Sequence, residues 1–236
     1  MIFKIFWILR GLIYKPFFGK FAFPSYIGKP VFIGNFKRIF IGKRVRIFLG
    51  ARIEVVDKNS SIVFEDNISI GQNLHIISGS GQELRIGKNT TFSANVFVTN
   101  IDHHYDEINK HILEQPLVSA KTQIGENCFI FEDNTIQPFV TIEDNCILWS
   151  GNHIGHHSTI KSNCFIASHV VISGGCEIGE NTFIGVNATL RDHIKIGKSN
   201  VIGAGALILN DTEDNKVYMA NPTEASKVPS NRLRGI

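Results

Sequence analysis

Nine histidines are the side chains of this 236-residue chain best suited to move a proton near neutral pH, and five of them lie between positions 153 and 193. Imidazole titrates close to neutrality and is the usual base for taking a proton from an amine or a hydroxyl group. Within that region Asn152, His153, His156 and His157 fall inside six residues. The cluster predicts a site of proton transfer, in which Asn152 and His153 contact a substrate.

The elements that hold these residues follow from a six-residue repeat. Fifteen consecutive positions, spaced six residues apart, are aliphatic: Ile124, Ile130, Ile136, Ile142, Leu148, Ile154, Ile160, Ile166, Ile172, Ile178, Ile184, Leu190, Ile196, Ile202 and Ile208. This period fits neither an α-helix nor a simple strand, and it is typical of a solenoid in which each hexad gives a short strand and a turn. Three hexads close a triangular coil of 18 residues. Stacked coils form parallel sheets, with strands about 4.8 Å apart.

The cysteines support the same coil length. Cys128, Cys146 and Cys164 lie 18 residues apart, and Cys176 has the same place in its hexad. We interpret all four as small core residues. Their number and spacing indicate neither a disulfide framework nor a metal site, and we expect no metal.

The coil length also predicts which residues share a corner. His157 and His193 are 36 residues, or two coils, apart, and Gly174–Gly175 occupies the corresponding corner between them. A corner without side chains leaves room for a ligand and exposes backbone N–H groups. We therefore expect a ligand to cross the glycine corner beside His156 and His157, while His169 lies on another corner of its own subunit.

Breaks in the repeat divide the chain. A first β-helix block covers residues 27–98 and the main block covers residues 124–210, but the two blocks are out of phase. Residues 99–123 are therefore predicted to leave the coil as a protruding loop, and such excursions are usually functional. Residues 1–26 form an amphipathic or capping segment, and residues 211–236 form a tail.

The N-terminal segment has two interpretations. Residues 1–20 mix aromatic and aliphatic residues with Lys4, Arg10, Lys15 and Lys20. No run of about 20 apolar residues exists, so no spanning helix is expected, and Arg10 splits what would be the apolar part of a signal peptide. Peripheral membrane contact through a surface helix and a cap over the open end of the solenoid remain equal alternatives.

Composition excludes some classes of protein. Apolar residues make up 43% and charged residues 19%, which is unlike a disordered chain. Lys and Arg number 24 against 21 Asp and Glu, a net charge of +3. Taking this charge as spread over the whole chain, we expect no nucleic-acid partner.

The hexads resemble the left-handed parallel β-helix of the hexapeptide-repeat acyltransferases over about residues 27–225. The resemblance implies an all-β fold, a left-handed parallel β-helix solenoid with a short N-terminal helix and an extended C-terminal tail. It also implies acetyl-CoA as co-substrate and a homotrimer, in which His169 could reach a neighbour's site and contact substrate.

The two halves resemble different members. The segment Asn95–Pro116 resembles the protruding loop of the maltose- and galactoside-type O-acetyltransferases, in which a loop histidine in an Asp-His context is the base. That resemblance implies His103, or its neighbour His104, as base and Asp102 as a substrate contact.

The segment from Ile124 onward resembles the acetyltransferases of nucleotide-linked amino sugars or sialic acid. His156 falls on their base position, and His157 replaces the acidic residue that commonly follows. The acyl-CoA-binding residues implied are Gly203, Ala204, Gly205, Asn221 and Pro222, together with Gly174 and Gly175.

Coil spacing favours His156 over His103 as the base. From His156 to Asn221 is 65 residues, under four coils, or about 17 Å at strand spacing. From His103 more than five coils remain, about 26 Å. An extended pantetheine arm covers the shorter distance.

The sequence thus predicts an acetyl-CoA-dependent acetyltransferase acting on a sugar in surface-polysaccharide biosynthesis such as that of lipopolysaccharide O-antigen. N-acetylation of a nucleotide-linked amino-deoxy sugar is favoured. Many amino-sugar enzymes begin with a Rossmann-like domain, which this sequence lacks, so O-acetylation of a glycan or lipid-linked saccharide stays open. A non-catalytic scaffold is the remote alternative. The expected location is the cytoplasm, with the inner face of the cytoplasmic membrane as a second option.

Overall fold

The chain folds as a parallel β-solenoid that follows a helix. In the computed structural model, which describes residues 2–104 and 106–232, the hexads of the main block form two-residue strands joined by four-residue corners. β-Branched and aromatic residues occupy the strands, whereas Asn and Gly occupy many corners, as their conformational preferences favour. The predicted all-β parallel β-helix with a short N-terminal helix is confirmed.

The elements have the following bounds. The helix α1 spans Ile2–Tyr14, and 3-10 turns span Phe36–Arg38, Ile112–Glu114 and Ser230–Arg232. The strands before the loop are β1 (Lys20–Phe21), β2 (Tyr26–Ile27), β3 (Phe32–Gly34), β4 (Ile39–Ile41), β5 (Arg46–Ile47), β6 (Arg52–Val55), β7 (Ser61–Phe64), β8 (Ser69–Ile70), β9 (His75–Ser78), β10 (Glu83–Ile86), β11 (Thr91–Phe92) and β12 (Phe97–Thr99). The loop contains β13 (Ile101–His103) and β14 (Leu117–Ser119). The later strands are β15 (Thr122–Ile124), β16 (Phe129–Ile130), β17 (Thr135–Ile136), β18 (Thr141–Ile142), β19 (Ile147–Leu148), β20 (His153–Ile154), β21 (Thr159–Ile160), β22 (Phe165–Ile166), β23 (Val171–Ile172), β24 (Glu177–Ile178), β25 (Phe183–Ile184), β26 (Thr189–Leu190), β27 (Lys195–Ile196), β28 (Val201–Ile202), β29 (Leu207–Ile208) and β30 (Val217–Tyr218).

Three flat faces form the walls of the solenoid. The first face has the order β1-β4-β7-β10-β15-β18-β21-β24-β27, the second β2-β5-β8-β11-β16-β19-β22-β25-β28-β30, and the third β3-β6-β9-β12-β17-β20-β23-β26-β29. Neighbouring strands within a face run parallel. In the main block the paired residues are 18 apart, as in Ile136, Ile154 and Ile172. The coil length read from the sequence is therefore the repeat of the structure.

The aliphatic ladder is the core. Ile136, Ile154 and Ile172 have no exposed surface, and the same holds for most of the ladder. Burial of each such side chain stabilises the fold by about 1.5–3 kcal/mol relative to an exposed one. Burial of apolar surface in every coil therefore decides which side of each strand points into the core.

The cysteines lie in this core, as the sequence predicted. All four are buried free thiols. Cys146 Sγ donates to the carbonyl oxygen of Lys161 at 3.1 Å, and Cys164 Sγ donates to that of Gly179 at 3.2 Å, so each thiol satisfies a carbonyl of the next coil. These contacts account for their 18-residue spacing without any reactive role.

Asparagine side chains tie one corner together. Asn127, Asn145, Asn163 and Asn181 have φ between 54° and 63°, a left-handed conformation that asparagine tolerates. Each of the first three donates from Nδ2 to Oδ1 of the next, at 2.9, 3.2 and 3.2 Å in turn. At other corners the same left-handed position holds a histidine.

Residues 101–119 leave the coil as an antiparallel hairpin. Strand β13 pairs with β14 from Ile101 opposite Ser119 to His103 opposite Leu117. The coil resumes at β15, where Thr122 pairs in parallel with Leu84 of the preceding coil. The register break near residues 99–123 therefore marks a segment with its own pairing.

The helix α1 packs on the first two coils. The Trp7 ring lies 5.9 Å from Tyr26 and 5.3 Å from Phe48, and Tyr14 meets Phe36 at 5.7 Å. The solenoid begins at Lys20, within the segment that the sequence assigned to the cap. In the described part of the chain, no helix has the length and apolar character needed to cross a membrane.

Candidate active site

The hairpin and one corner of the main stack meet at a cavity. The corner lies between β20 on the third face and β21 on the first face. The cavity has a volume of about 360 Å³ and is lined by Asp102, His103, His104, Asp106, Val118, Phe139, His156 and His157. The two histidine groups that the sequence treated as competing bases therefore share one site, so counting coils does not separate them.

The histidines of the corner form a hydrogen-bonded pair. His156 Nδ1 lies 2.9 Å from His157 Nδ1, and the rings are nearly perpendicular at 89°. Because a hydrogen bond needs one donor, one of these nitrogens carries a proton and the other accepts it. The donating ring, when neutral, has an unprotonated Nε2, which is the state that a general base requires.

The backbone fixes this pair at the corner. The N–H of His156 donates to Gln137 Oε1 at 2.9 Å, and the N–H of His157 donates to the carbonyl oxygen of Pro138 at 3.1 Å. His157 has φ 60°, the left-handed corner conformation. The preceding coil therefore sets the direction of both imidazoles.

The surroundings of His157 disfavour its charged form. Its ring stacks on Phe139, with centroids 4.2 Å apart. Burial, and then the nearby charges of His156 and His193, lower the pKa of His157 below the usual histidine range. A neutral imidazole at this position can accept a hydrogen bond from its partner.

The hairpin supplies the opposite wall. His104 Nδ1 lies 3.2 Å from Asp106 Oδ2, and Asp102 Oδ1 accepts the backbone N–H of His103 at 2.8 Å. His103 Nδ1 is buried and has no hydrogen-bond partner among the described residues. Asp102, His103 and His104 all line the cavity.

The glycine corner corrects the sequence-based expectation of an open ligand path. The N–H of Gly174 donates to Asp192 Oδ1 at 2.9 Å, and that of Gly175 donates to the carbonyl oxygen of His156 at 2.7 Å. A Cβ on Gly174 would lie 2.5 Å from His156 Cε1, and one on Gly175 would clash with the ring of His193. The space beside these glycines is occupied by histidine rings, and their N–H groups are already bonded.

Asn152 also differs from its predicted role in substrate binding. Its side chain is 1% exposed, Nδ2 donates to the carbonyl oxygen of Trp149, and Oδ1 accepts the N–H of Val170 at 2.8 Å. Asn152 therefore holds a corner and is inaccessible to a ligand. His153, in contrast, is exposed on the outward side of β20.

His169 lies on a different corner, between β22 and β23, as the coil count predicted. A Cβ on Gly151 would lie 2.5 Å from His169 Nδ1, so the ring covers that glycine. His169 is exposed and does not line the cavity. A contribution of His169 to a neighbouring subunit stays a prediction.

A second cavity lies at the C-terminal end, between the second and third faces. It has a volume of about 540 Å³ and is lined by Gly205, Ala206, Leu207, Ile208, Val217, Tyr218, Met219, Ala220 and Asn221. Of the predicted acyl-CoA-binding residues, Gly205 and Asn221 meet here. Gly203 is buried against Met219, and Ala204 and Pro222 are exposed beside the cavity lining. The third face separates this corner from that of His156.

No metal site forms in the described residues: no three His, Cys, Asp or Glu side chains are placed to hold one ion. Among the histidines of the cavity, His156 and His157 are hydrogen-bonded to each other and His104 is paired with Asp106.

The match to a known protein family lies in the hexapeptide repeats of the main block. The model for the bacterial transferase hexapeptide (six repeats) matches residues 121–156 and 175–210. These two segments carry the hexapeptide repeat of that family model. The first matched segment ends at His156 and the second begins at Gly175, so the hexapeptide segments border the corner of the cavity.

Solved structures share the solenoid of this protein. LpxA, a UDP-N-acetylglucosamine acyltransferase from Bacteroides fragilis, is 21% identical with a TM-score of 0.55, covering 85% of this chain and 71% of that one. LpxA from Acinetobacter baumannii is 20% identical with a TM-score of 0.51 and the same coverage. At these identities the likeness establishes the fold alone. No curated protein matches the chain.

Some residues of the cavity had a signal in the sequence and others did not. Phe139 precedes His157 by 18 residues, so the coil period could have placed it under that ring. Asp106 and Val118 lie in the hairpin, where no repeat relates them to the coil.

Proposed function

We propose that this protein is an acyltransferase that moves an acyl group from a thioester to an amino or hydroxyl group of a sugar. The observation that carries the proposal is the single cavity in which His103 and His104 face the pair formed by His156 and His157. A purely structural solenoid has no need to collect these side chains at a concave surface. The matching family model, which describes bacterial transferases, supports the reaction class.

In this proposal His156 is the base and His157 positions it. The Nδ1–H of His156 donates to Nδ1 of neutral His157, which leaves His156 Nε2 free to take the proton of the attacking amine or hydroxyl. The imidazolium that forms makes a charge-assisted bond to the same acceptor. The lowered pKa of His157, caused mainly by burial, supports its role as the neutral acceptor.

The hairpin wall binds the acceptor sugar. His104, whose ring is oriented by Asp106, is placed to contact sugar hydroxyls. His103 is the alternative base, since it lines the same cavity with a buried nitrogen that is not hydrogen-bonded among the described residues. Attack on the thioester carbon produces an oxyanion, so the step also needs a hydrogen-bond donor at that point. Collapse of this intermediate breaks the C–S bond, and the leaving thiolate takes up the proton that the base removed from the acceptor.

Acetyl-CoA is the proposed acyl donor. The third face leads from the histidine corner to the C-terminal cavity, with His153, Val171, Thr189 and Leu207 in register on its outer side. These three coil steps span about 14 Å, which an extended pantetheine arm can cover. Val171 and Leu207 are exposed, so the arm would cover apolar surface along this route.

The favoured acceptor is the amine of a nucleotide-linked amino-deoxy sugar in surface-polysaccharide biosynthesis. The alternative is the hydroxyl of a glycan or lipid-linked saccharide, because the same His pair can deprotonate an amine or a hydroxyl. We further propose a homotrimer that acts in the cytoplasm, where acetyl-CoA is made. Light scattering tests the trimer, which should have three times the 26.3 kDa mass of the chain.

Release of CoA from acetyl-CoA, with an amino-deoxy-hexose nucleotide as acceptor, tests the proposed reaction. We expect turnover by the unaltered protein, a loss of about 100-fold or more in kcat for His156→Ala, and a smaller loss for His157→Ala. His111→Ala is the matched control, because this exposed histidine lies in the same excursion but outside the cavity.

A loss confined to His103→Ala would transfer the base role to the hairpin. Turnover with hydroxyl acceptors alone would replace N-acetylation by O-acetylation. Failure of every acceptor with every thioester would contradict the proposed acyl transfer.

A further inference from the structure

The positive charge of the chain is concentrated in its N-terminal part. This corrects the interpretation that the net charge is spread over the whole chain. Residues 1–53 contain 11 Lys and Arg and no Asp or Glu. Residues 54–236 contain 13 basic and 21 acidic residues. The formal charges of the two parts are therefore +11 and −8, which together give the net +3.

The helix α1 at this basic end has two apolar sides. One side, with Trp7, Gly11 and Tyr14, packs on the solenoid. The other side carries large apolar residues that are 48–66% exposed: Ile5, Phe6, Leu9, Leu12 and Ile13, followed by Phe17 after the helix. Their spacing of three and four residues makes one continuous stripe.

The basic side chains at this end of the molecule form few ion pairs. Lys4, Lys15 and Lys20 are exposed. Among the described residues, ion pairing within the first 53 positions is confined to Arg52, which binds Glu54 at 2.7 Å. The apolar stripe, about two turns long, thus lies at the end of the molecule where the basic residues are concentrated.

We propose that α1 docks this protein on an anionic phospholipid bilayer. The stripe with Phe6, Leu9 and Ile13 enters the boundary between headgroups and acyl chains, and the lysines bind lipid phosphates, as in other interfacial helices. A nucleic acid would neutralise the charge but leave the stripe exposed to water. A second copy would cover the stripe but bring two strongly positive ends together. This inference does not depend on acyl transfer.

Co-sedimentation of the full chain with vesicles tests the docking. Vesicles of phosphatidylcholine alone are compared with vesicles that contain about one-third phosphatidylglycerol. We expect at least about 10-fold tighter binding to the anionic vesicles, weakened by added salt. Leu9→Ser with Ile13→Ser, and separately Lys4→Glu with Lys15→Glu, should each reduce binding about 10-fold or more. Ile108→Ser with Leu113→Ser is the control, since these residues are also exposed but lie in the hairpin, and this variant should bind as the unaltered protein does.

Three results would overturn the proposal. The first is no binding to anionic vesicles, or undiminished binding by the Leu9→Ser and Ile13→Ser variant with its circular dichroism unchanged. The second is binding to duplex DNA that needs the lysines but not the stripe, without vesicle binding. The third combines two observations: the unaltered protein does not bind vesicles, and the same serine variant has a lower mass than the unaltered protein in light scattering without vesicles. That result would mean that a second copy of the chain covers the stripe.

Discussion

His157 carries a residue-scale prediction because its surroundings disfavour its charged form. Burial, followed by the charges of His156 and His193, lowers its pKa in the folded protein. As the pH falls through the usual range of histidine pKa values, this imidazole therefore binds a proton more readily in the unfolded chain than in the folded one. The free energy of unfolding decreases as the pH falls through that range. His157→Asn should reduce this loss of stability, since the variant has no group that titrates there.

Urea denaturation at pH near 7.5 and near 5.5 measures the effect. Asparagine suits the left-handed corner, as Asn145 and Asn163 show at φ of 59° and 63°, so the variant should fold. Ser199→Asn is the control, since it places asparagine at another left-handed corner, with φ 55°, and removes no titratable group; it should keep the pH dependence of the unaltered protein. An unchanged pH dependence in His157→Asn would mean that this imidazole is not held neutral by the fold.

The hairpin is the element that turns a corner into a cavity. It leaves the coil between β12 and β15, where an ordinary corner has four residues, and it contributes one wall of the cavity. Replacing residues 99–122 by a four-residue corner copied from Gly125–Cys128 should leave the solenoid folded, because Gln123 pairs with Thr141 independently of the hairpin. The proposed activity should then fall about 100-fold or more, since the acceptor loses its binding surface.

Circular dichroism and CoA release from the same preparation distinguish a folding defect from a lost wall. Ile108→Ala changes only an exposed hairpin residue outside the cavity lining, and it should keep full activity. Full activity without the hairpin would restrict the site to the coil.

The whole molecule is a one-dimensional stack, so the cost of a core defect should depend on its distance from the ends. Ile160 lies inside the stack, between the paired Ile142 and Ile178, whereas Ile208 belongs to the last strand of the third face and is 8% exposed. Ile160→Ala should lower the free energy of unfolding by about 2–5 kcal/mol, because the closed stack cannot collapse around the cavity. Ile208→Ala should cost less than half as much, since water and the chain end can relax there.

Urea titration of both variants, at a fixed protein concentration, checks this difference. Val171→Ala, which truncates an exposed residue on an outer face, is the surface control. Equal losses for Ile160→Ala and Ile208→Ala would mean that the stack unfolds without regard to position.

Much of the fold was predictable because its rule is local. An inward aliphatic residue at every sixth position sets which side of each short strand is buried, and the 18-residue coil then places His157, Gly175 and His193 in one column. The same count separates the corner of His169 from that of His157. Functions of corner residues were less predictable: Asn152 and the glycine corner looked accessible, but hydrogen bonds and neighbouring rings occupy them.

The sequence by itself determined the solenoid, its coil length, the buried ladder and the place where the chain leaves the coil. Stacking in register requires an inward aliphatic residue at the same position of every hexad, so the pattern is repeated along the sequence. Only the tertiary structure decided that His103 and His104 face His156 and His157. The hairpin pairs with itself in antiparallel fashion, so no period relates it to the coil. Its direction comes from long-range packing against one corner, which no local pattern of residues encodes.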